Sequence, residues 1–111
     1  MRSSKKLTQT GNKVYSLEFN LQAKKEFDKL NSTVRLQLLK KLKQRLISPR
    51  VEADKLRDMP DCYKIKLRSI GYRLVYEVID DLLIVIVVAV GKRERSKVYS
   101  KAASRLQPDR N

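Results

Sequence analysis

The sequence has no histidine and no tryptophan, and only one cysteine, three glycines and three prolines in 111 residues. Without histidine there is no Cys–His nucleophile pair and no zinc site of Cys and His ligands. The lone Cys62 permits no internal disulfide and fits a reducing, cytoplasmic compartment. It stands at the start of an expected strand and reads as structural. No tryptophan is present, and no helix pairs a Trp/Phe/Leu face with a basic one, which disfavours a membrane-surface role. The apolar run Leu82 to Val90 is far too short to span a bilayer. Met1 to Asn12 is basic and polar without an apolar core, unlike a secretory signal, and is expected to be a disordered leader.

Acidic residues are also scarce. Twelve Asp and Glu face 26 Lys and Arg, a formal charge of +14, with pI near 10.2. Such a field attracts polyanions: nucleic acid first, an anionic membrane or an acidic protein next. A hydrophobic content of 41% supports one modest core. A single domain is expected over 13–107, with a short polar tail at 108–111.

What is there is organised around one hairpin. From Cys62 to Arg68 polar and apolar residues alternate strictly, the pattern of a half-buried strand. Gly71 suits the positive φ of a tight turn, and a second β-rich run starts at Tyr72. With Ile70-Gly71 as a two-residue loop, Arg68 faces Arg73, Lys66 faces Val75 and Lys64 faces Glu77. Lys64, Lys66, Arg68 and Arg73 then share one face, while Ile65, Leu67, Leu74 and Tyr76 line the other. Like charges in such proximity are unfavourable on a sheet. The hairpin alone is compatible equally with a solvated basic face and with a polyanion site.

The remaining chain supplies the frame. Lys13 to Phe19 alternates as a first strand, with Tyr15, Leu17 and Phe19 inward. Asn20 caps a helix through Leu30 with Ala23, Phe27 and Leu30 on one face. Ser32 caps a second helix to Ile47, with Val34, Leu38, Leu39, Leu42 and Leu46 inward and Arg35, Lys40, Lys41, Lys43 and Arg45 outward. Ser48-Pro49 ends it, and Arg50 to Pro60 is a polar connection. After the hairpin, Asp80-Asp81 turn the chain into Leu82 to Val90, a strand expected to be covered on both faces. Gly91 ends that strand, Lys92 to Arg95 form a charged turn, and a last helix runs from Arg95 to Leu106. The order β-α-α-β-β-β-α predicts an α+β fold with an antiparallel-rich sheet and a helical hairpin on one face. The opposite, cationic face is expected to be open.

Ser48-Pro49-Arg50-Val51-Glu52-Ala53-Asp54-Lys55-Leu56-Arg57-Asp58-Met59-Pro60-Asp61-Cys62-Tyr63-Lys64-Ile65-Lys66-Leu67-Arg68 resembles the bacterial RelE toxins. The similarity continues through Gly71 to Tyr76 and through Val90 to Tyr99, and spans roughly Tyr15 to Leu106. The resemblance implies a RelE/ParE-like fold and a ribosome-dependent mRNA endonuclease, the toxin half of a type II toxin–antitoxin pair. Such toxins enter the ribosomal A site on the 30S subunit, against 16S rRNA, and cut the codon there. The messenger's 2′-hydroxyl attacks the adjacent phosphate, leaving a 2′,3′-cyclic phosphate. A RelB-like antitoxin is implied as partner, with operator DNA bound through the antitoxin complex, and no cofactor or metal is called for. The matching positions are Lys64, Lys66, Arg73, Arg93 and Tyr99, with Lys55, Arg57 and Arg68 as further RNA contacts.

Each position has a chemical and a plain reading. By resemblance Lys66 is the candidate base, since surrounding cations push a lysine pKa down. Its alternative is an electrostatic clamp on RNA. Arg73 and Lys64 suit the growing phosphorane charge, although Lys64 can instead pair with Glu77. Arg93 is assigned near the leaving oxygen, as fixed charge rather than proton donor. Tyr99 stacks on a base, orients the nucleophile or acts as base, or simply packs the last helix. Two other functions compete: a non-catalytic toxin of the same fold, as in gyrase-poisoning relatives, and a plain RNA-binding protein.

Overall fold

The computed structural model describes residues 14–92 and 97–106, so the expected leader, Lys13, Arg93 and the tail lie outside the described residues. The elements are β1 (Ser16–Phe19), α1 (Leu21–Asp28), α2 (Ser32–Ile47), β2 (Cys62–Leu67), β3 (Tyr72–Ile79), β4 (Ile84–Lys92) and α3 (Lys97–Arg105). This is the expected α+β order. The sheet runs β1-β4-β3-β2, with β1 parallel to β4 and the other neighbours antiparallel.

Local chemistry sets the boundaries. Asn20 caps α1, its side-chain oxygen accepting from the Gln22 and Ala23 amides. That helix stops at Asp28, short of the expected Leu30. Asn31, not Ser32, caps α2 by accepting from the Val34 amide at 3.0 Å, and Ser32 is already helical. β1 starts at Ser16 because β4, its partner among the described residues, begins opposite it at Ile84. A 3-10 turn at Asp80–Leu82 and a left-handed Leu83 (φ 54) absorb the residues expected to open β4. A leucine in that region costs about 1–2 kcal/mol, which nothing in the sequence announces. At its far end β4 passes through Gly91 to Lys92, since Arg73 and Tyr72 of β3 supply partners there.

β4 lies inside the sheet and is covered on both faces, as expected. One face buries Leu38, Leu42, Ile65, Leu74, Val85 and Val87 under α1 and α2. The other buries Cys62, Val75, Val88 and Ala89 under Val98 and Ala102 of α3. The face expected to be open is therefore partly roofed by the last helix.

Two polar clamps hold the helices to the sheet. Arg45, expected outward, turns inward: it donates to the Tyr76 hydroxyl at 2.8 Å and pairs with Asp54 at 2.7 Å. The Tyr76 hydroxyl donates onward to the Pro49 carbonyl at 2.6 Å, and its ring stacks on Tyr63 at 5.8 Å. The second clamp sits where β1 has ended and the edge of β4 is unpaired. There Glu26 of α1 accepts from the Val90 amide at 3.1 Å, and Arg105 of α3 donates to the Val88 carbonyl at 2.9 Å. Arg105 also forks onto both oxygens of Glu26, and Lys101 reaches the same carboxylate at 2.7 Å. Burial pulls the Glu26 pKa upward, but the hydrogen bonds from Arg105, Lys101 and Val90 prevail and hold it at about 2.

Because the folded Glu26 pKa lies below its ordinary 4.5, its stabilisation is complete above that value and disappears as pH falls toward 2. Glu26→Gln should therefore cost about 2 kcal/mol in urea unfolding at neutral pH, with the gap to the parent closing in strong acid. Tyr76→Phe strips a partner from Arg45 and from the buried Pro49 carbonyl together. It should cost about 1–3 kcal/mol in the same unfolding measurement.

Candidate active site

The β2–β3 hairpin turns through four residues rather than two. Arg68–Ile70 form a 3-10 turn closed by the Gly71 amide onto the Arg68 carbonyl at 3.3 Å. Gly71 is left-handed at φ 69, as expected, and a Cβ there would meet nothing within 4 Å. Its constraint is torsional, not steric.

The longer turn moves the register by two residues. Lys66 opposes Arg73, Lys64 opposes Val75 and Glu77 opposes Cys62. The expected pairings Arg68–Arg73, Lys66–Val75 and Lys64–Glu77 are thus replaced. A slip of two preserves the faces, so Lys64, Lys66 and Arg73 still share one side. On the other side Tyr63, Ile65 and Leu67 meet Tyr76, Leu74 and Tyr72. Arg68 leaves the strand and stands exposed in the turn.

These cations frame a concavity. Lys66, Arg68, Gly71 and Arg73 line a pocket of about 320 Å³. Arg73 is 9% exposed, and Lys66 is half-buried at the rim. Among the described residues no carboxylate forms an ion pair with Lys64, Lys66, Arg68 or Arg73. The Lys66 pKa is pushed below the ordinary lysine value, first by the charge of Lys64, then by partial desolvation, Arg68 and Arg73. Asp54 opposes that shift. Lys66 and Arg68 also line a second pocket of about 360 Å³ with Gln37 and Lys41 of α2. Neither α2 residue was flagged from sequence, because only the packing of α2 beside the β2 edge brings them near.

Tyr99, half-buried on α3, packs against the cluster that contains Cys62, Val75, Val88 and Ala89. It therefore lies on the face that carries Lys64, Lys66 and Arg73. Arg93 lies outside the described residues; Lys92, the last described residue before it, pairs with Tyr72 beside the hairpin turn. Lys55 and Arg57 are exposed, and Lys55 bridges to Tyr63. That pairing sets Lys55 on the Tyr63 side of the sheet, away from Lys66. Cys62 is fully buried, and burial pushes its thiol up to about 12, with Glu77 and Asp61 adding to the shift. It is unreactive at neutral pH. No group of three or more Cys, Asp or Glu suited to a metal ion occurs among the described residues.

Comparisons with known proteins place the chain in a family. Residues 17–97 match the family model of the ParE toxin of the type II toxin–antitoxin system parDE. The mRNA interferase toxin RelE of Escherichia coli K12 is 65% identical over 92 residues, covering 83% of this chain and 97% of that protein. A solved free E. coli RelE with two arginines replaced by alanine superposes with a TM-score of 0.79 at 62% identity, covering 84% and 98% of the two chains. The toxin chain of the intact E. coli RelBE toxin–antitoxin complex gives 0.71 at 65% identity, covering 73% and 99%. With most of its length matched at this identity, the chain belongs to the RelE-type toxins of the ParE toxin family of type II toxin–antitoxin systems.

Proposed function

We propose that this chain is an endoribonuclease toxin, an mRNA interferase that cuts messenger in the ribosomal A site by attack of the messenger's own 2′-hydroxyl. The observation that carries the reading is the opposition of Lys66 and Arg73, with Lys64 two residues along β2 on the same face and no carboxylate ion-paired to them among the described residues. A phosphodiester placed over that concavity meets fixed charge on its non-bridging oxygens, from Arg73 and Lys64. Lys66, with its pKa lowered by the same neighbours, takes the 2′-proton. Arg93 stabilises charge at the departing 5′-oxygen, and Tyr99 stacks or orients the nucleotide. Lys55, Arg57 and Arg68 contact RNA outside the reacting phosphate.

Two relatives carry the words mRNA interferase in their names, which supports the same reading. The family model carries the name of ParE, and a non-catalytic toxin of this fold is the competing reading. High identity to RelE and the assembled cations weigh against it. The ribosome enters because the site holds no group that titrates naturally near neutrality. Positioning of the messenger must then supply much of the rate.

Solved complexes of RelE-type toxins with RelB antitoxins support a cognate antitoxin here. At a net charge of +14, the toxin suits an acidic partner that is disordered until it binds. Operator DNA would be engaged through that partner. Mixing the purified chain with the product of its neighbouring gene should give a stable complex by size-exclusion chromatography and abolish cleavage; separate elution overturns the pairing.

The nuclease itself is tested by mapping messenger ends in a translating extract. Lys66→Ala should lower cleavage about 10²–10⁴-fold, and Arg73→Ala or Arg93→Ala about 10²–10³-fold. The products should carry 2′,3′-cyclic phosphate. As a base, Lys66 works when neutral, so the rate should rise with pH toward its lowered pKa. Lys64→Ala removes the largest lowering influence and should move that rise to higher pH. Unchanged ends with every variant would leave only an RNA-binding or protein-binding toxin.

A further inference from the structure

Sheet register aligns Lys66, Arg73 and Gly91 across three adjacent strands. With neighbouring strands about 4.8 Å apart, a regular line of charge begins on β2 and continues on β3. On β4 it would stop, because Gly91 has no side chain. Another element borders that space: the Lys101 ammonium of α3 lies 3.6 Å from where a Cβ on Gly91 would stand. Glu26 holds it there at 2.7 Å.

The division of labour between the two cations on Glu26 is uneven. Arg105 forks onto both carboxylate oxygens and is 13% exposed, so it satisfies the carboxylate structurally. Lys101 makes one bond to the carboxylate and is 41% exposed. An ammonium has three donors, which leaves it capacity toward solvent. One carboxylate between two cations also leaves the trio net positive.

Resting on the RNA-cleaving reading above, we propose that Lys101 is a further phosphate-contacting residue. It extends the charge line of Lys66 and Arg73 onto β4 and takes a backbone phosphate of single-stranded RNA next to the reacting one. Gly91 provides its seat, and Glu26 acts as a positioning residue that fixes its ammonium.

The test uses the full chain and a single-stranded oligonucleotide with 2′-deoxyribose throughout, which it cannot cut. Binding is measured across a salt series, and folding of each variant is checked by thermal melting. Lys101→Gln should reduce the slope of log K against log salt by about 0.7, the value for one phosphate on a single strand. Gly91→Val leaves formal charge intact but drives the ammonium from its seat, and should reduce the slope equally. Lys24→Gln removes an exposed, ion-paired lysine on α1 and should leave the slope unchanged. If Lys66→Gln lowers the slope while Lys101→Gln and Gly91→Val do not, the inference is overturned and the proposed function stands. If Lys66→Gln is also silent, or the parent does not bind, the reading of the site falls with it.

Discussion

The site depends on holding Lys66 directly against Arg73, two like charges on neighbouring strands. Left alone, that opposition disfavours the pairing by a fraction of a kcal/mol up to about 1 kcal/mol. The reverse face of the same strands buries Tyr63, Ile65, Leu67, Leu74 and Tyr76. Each such side chain contributes about 1.5–3 kcal/mol, so the apolar face prevails by an order of magnitude. The tyrosine pair is fastened further through Arg45 and the Pro49 carbonyl. Repulsion is thereby imposed on the cations by the core behind them, and Lys64 first, then Arg68 and Arg73, lower the Lys66 pKa against the smaller opposing pull of Asp54.

Scarce acids sharpen the effect through where they are used. Asp54 engages Arg45, Asp61 and Asp80 engage Arg50, and Glu26 engages Lys101 and Arg105. The Asp54, Asp80 and Glu26 contacts each join segments separated in the chain, while the Asp61 contact closes the connection between α2 and β2. These four carboxylates are committed to architecture, and among the described residues none of them forms an ion pair with Lys64, Lys66, Arg68 or Arg73. The Glu26 clamp links this economy to the site, since it seats α3, and α3 carries Tyr99 onto the cationic face.

Much of this was legible from residue order, and the failures share one cause. Strict alternation from Cys62 to Arg68 defined the two faces, and those faces survive although the register slipped by two and Arg68 leaves the strand. The slip arose because Arg68–Ile70 coil into a 3-10 turn, and only backbone geometry separates that from a two-residue loop. Parity, the property the chemistry needs, was protected by the period of the strand itself. Arg45 was misread as solvent-facing because helical spacing does not reveal that Tyr76 and Asp54 wait above it. The roofing of the cationic face by α3, and the approach of Lys41 and Gln37 to Lys66, likewise depend on contacts distant in sequence. Gly91 looked like a strand end because glycine weakens strands, yet β4 runs through it, with the Lys101 ammonium 3.6 Å from its Cβ position.

A site built this way differs from one that relies on histidine. Lowering a lysine pKa by neighbouring charge is self-limiting: each added cation favours the neutral amine but also strengthens the pull on RNA phosphates. On the proposed function, an arriving phosphate partly neutralises Lys64 and Arg73 and so weakens the very repulsion that prepared Lys66. Lys66, as the proposed base, is therefore best prepared before RNA binds and less so afterwards. Such a centre cannot gain its whole rate from proton transfer. It must gain the remainder from geometry, by holding the 2′-oxygen, the phosphorus and the leaving oxygen in line, which is why an external scaffold for the messenger fits this arrangement of charges.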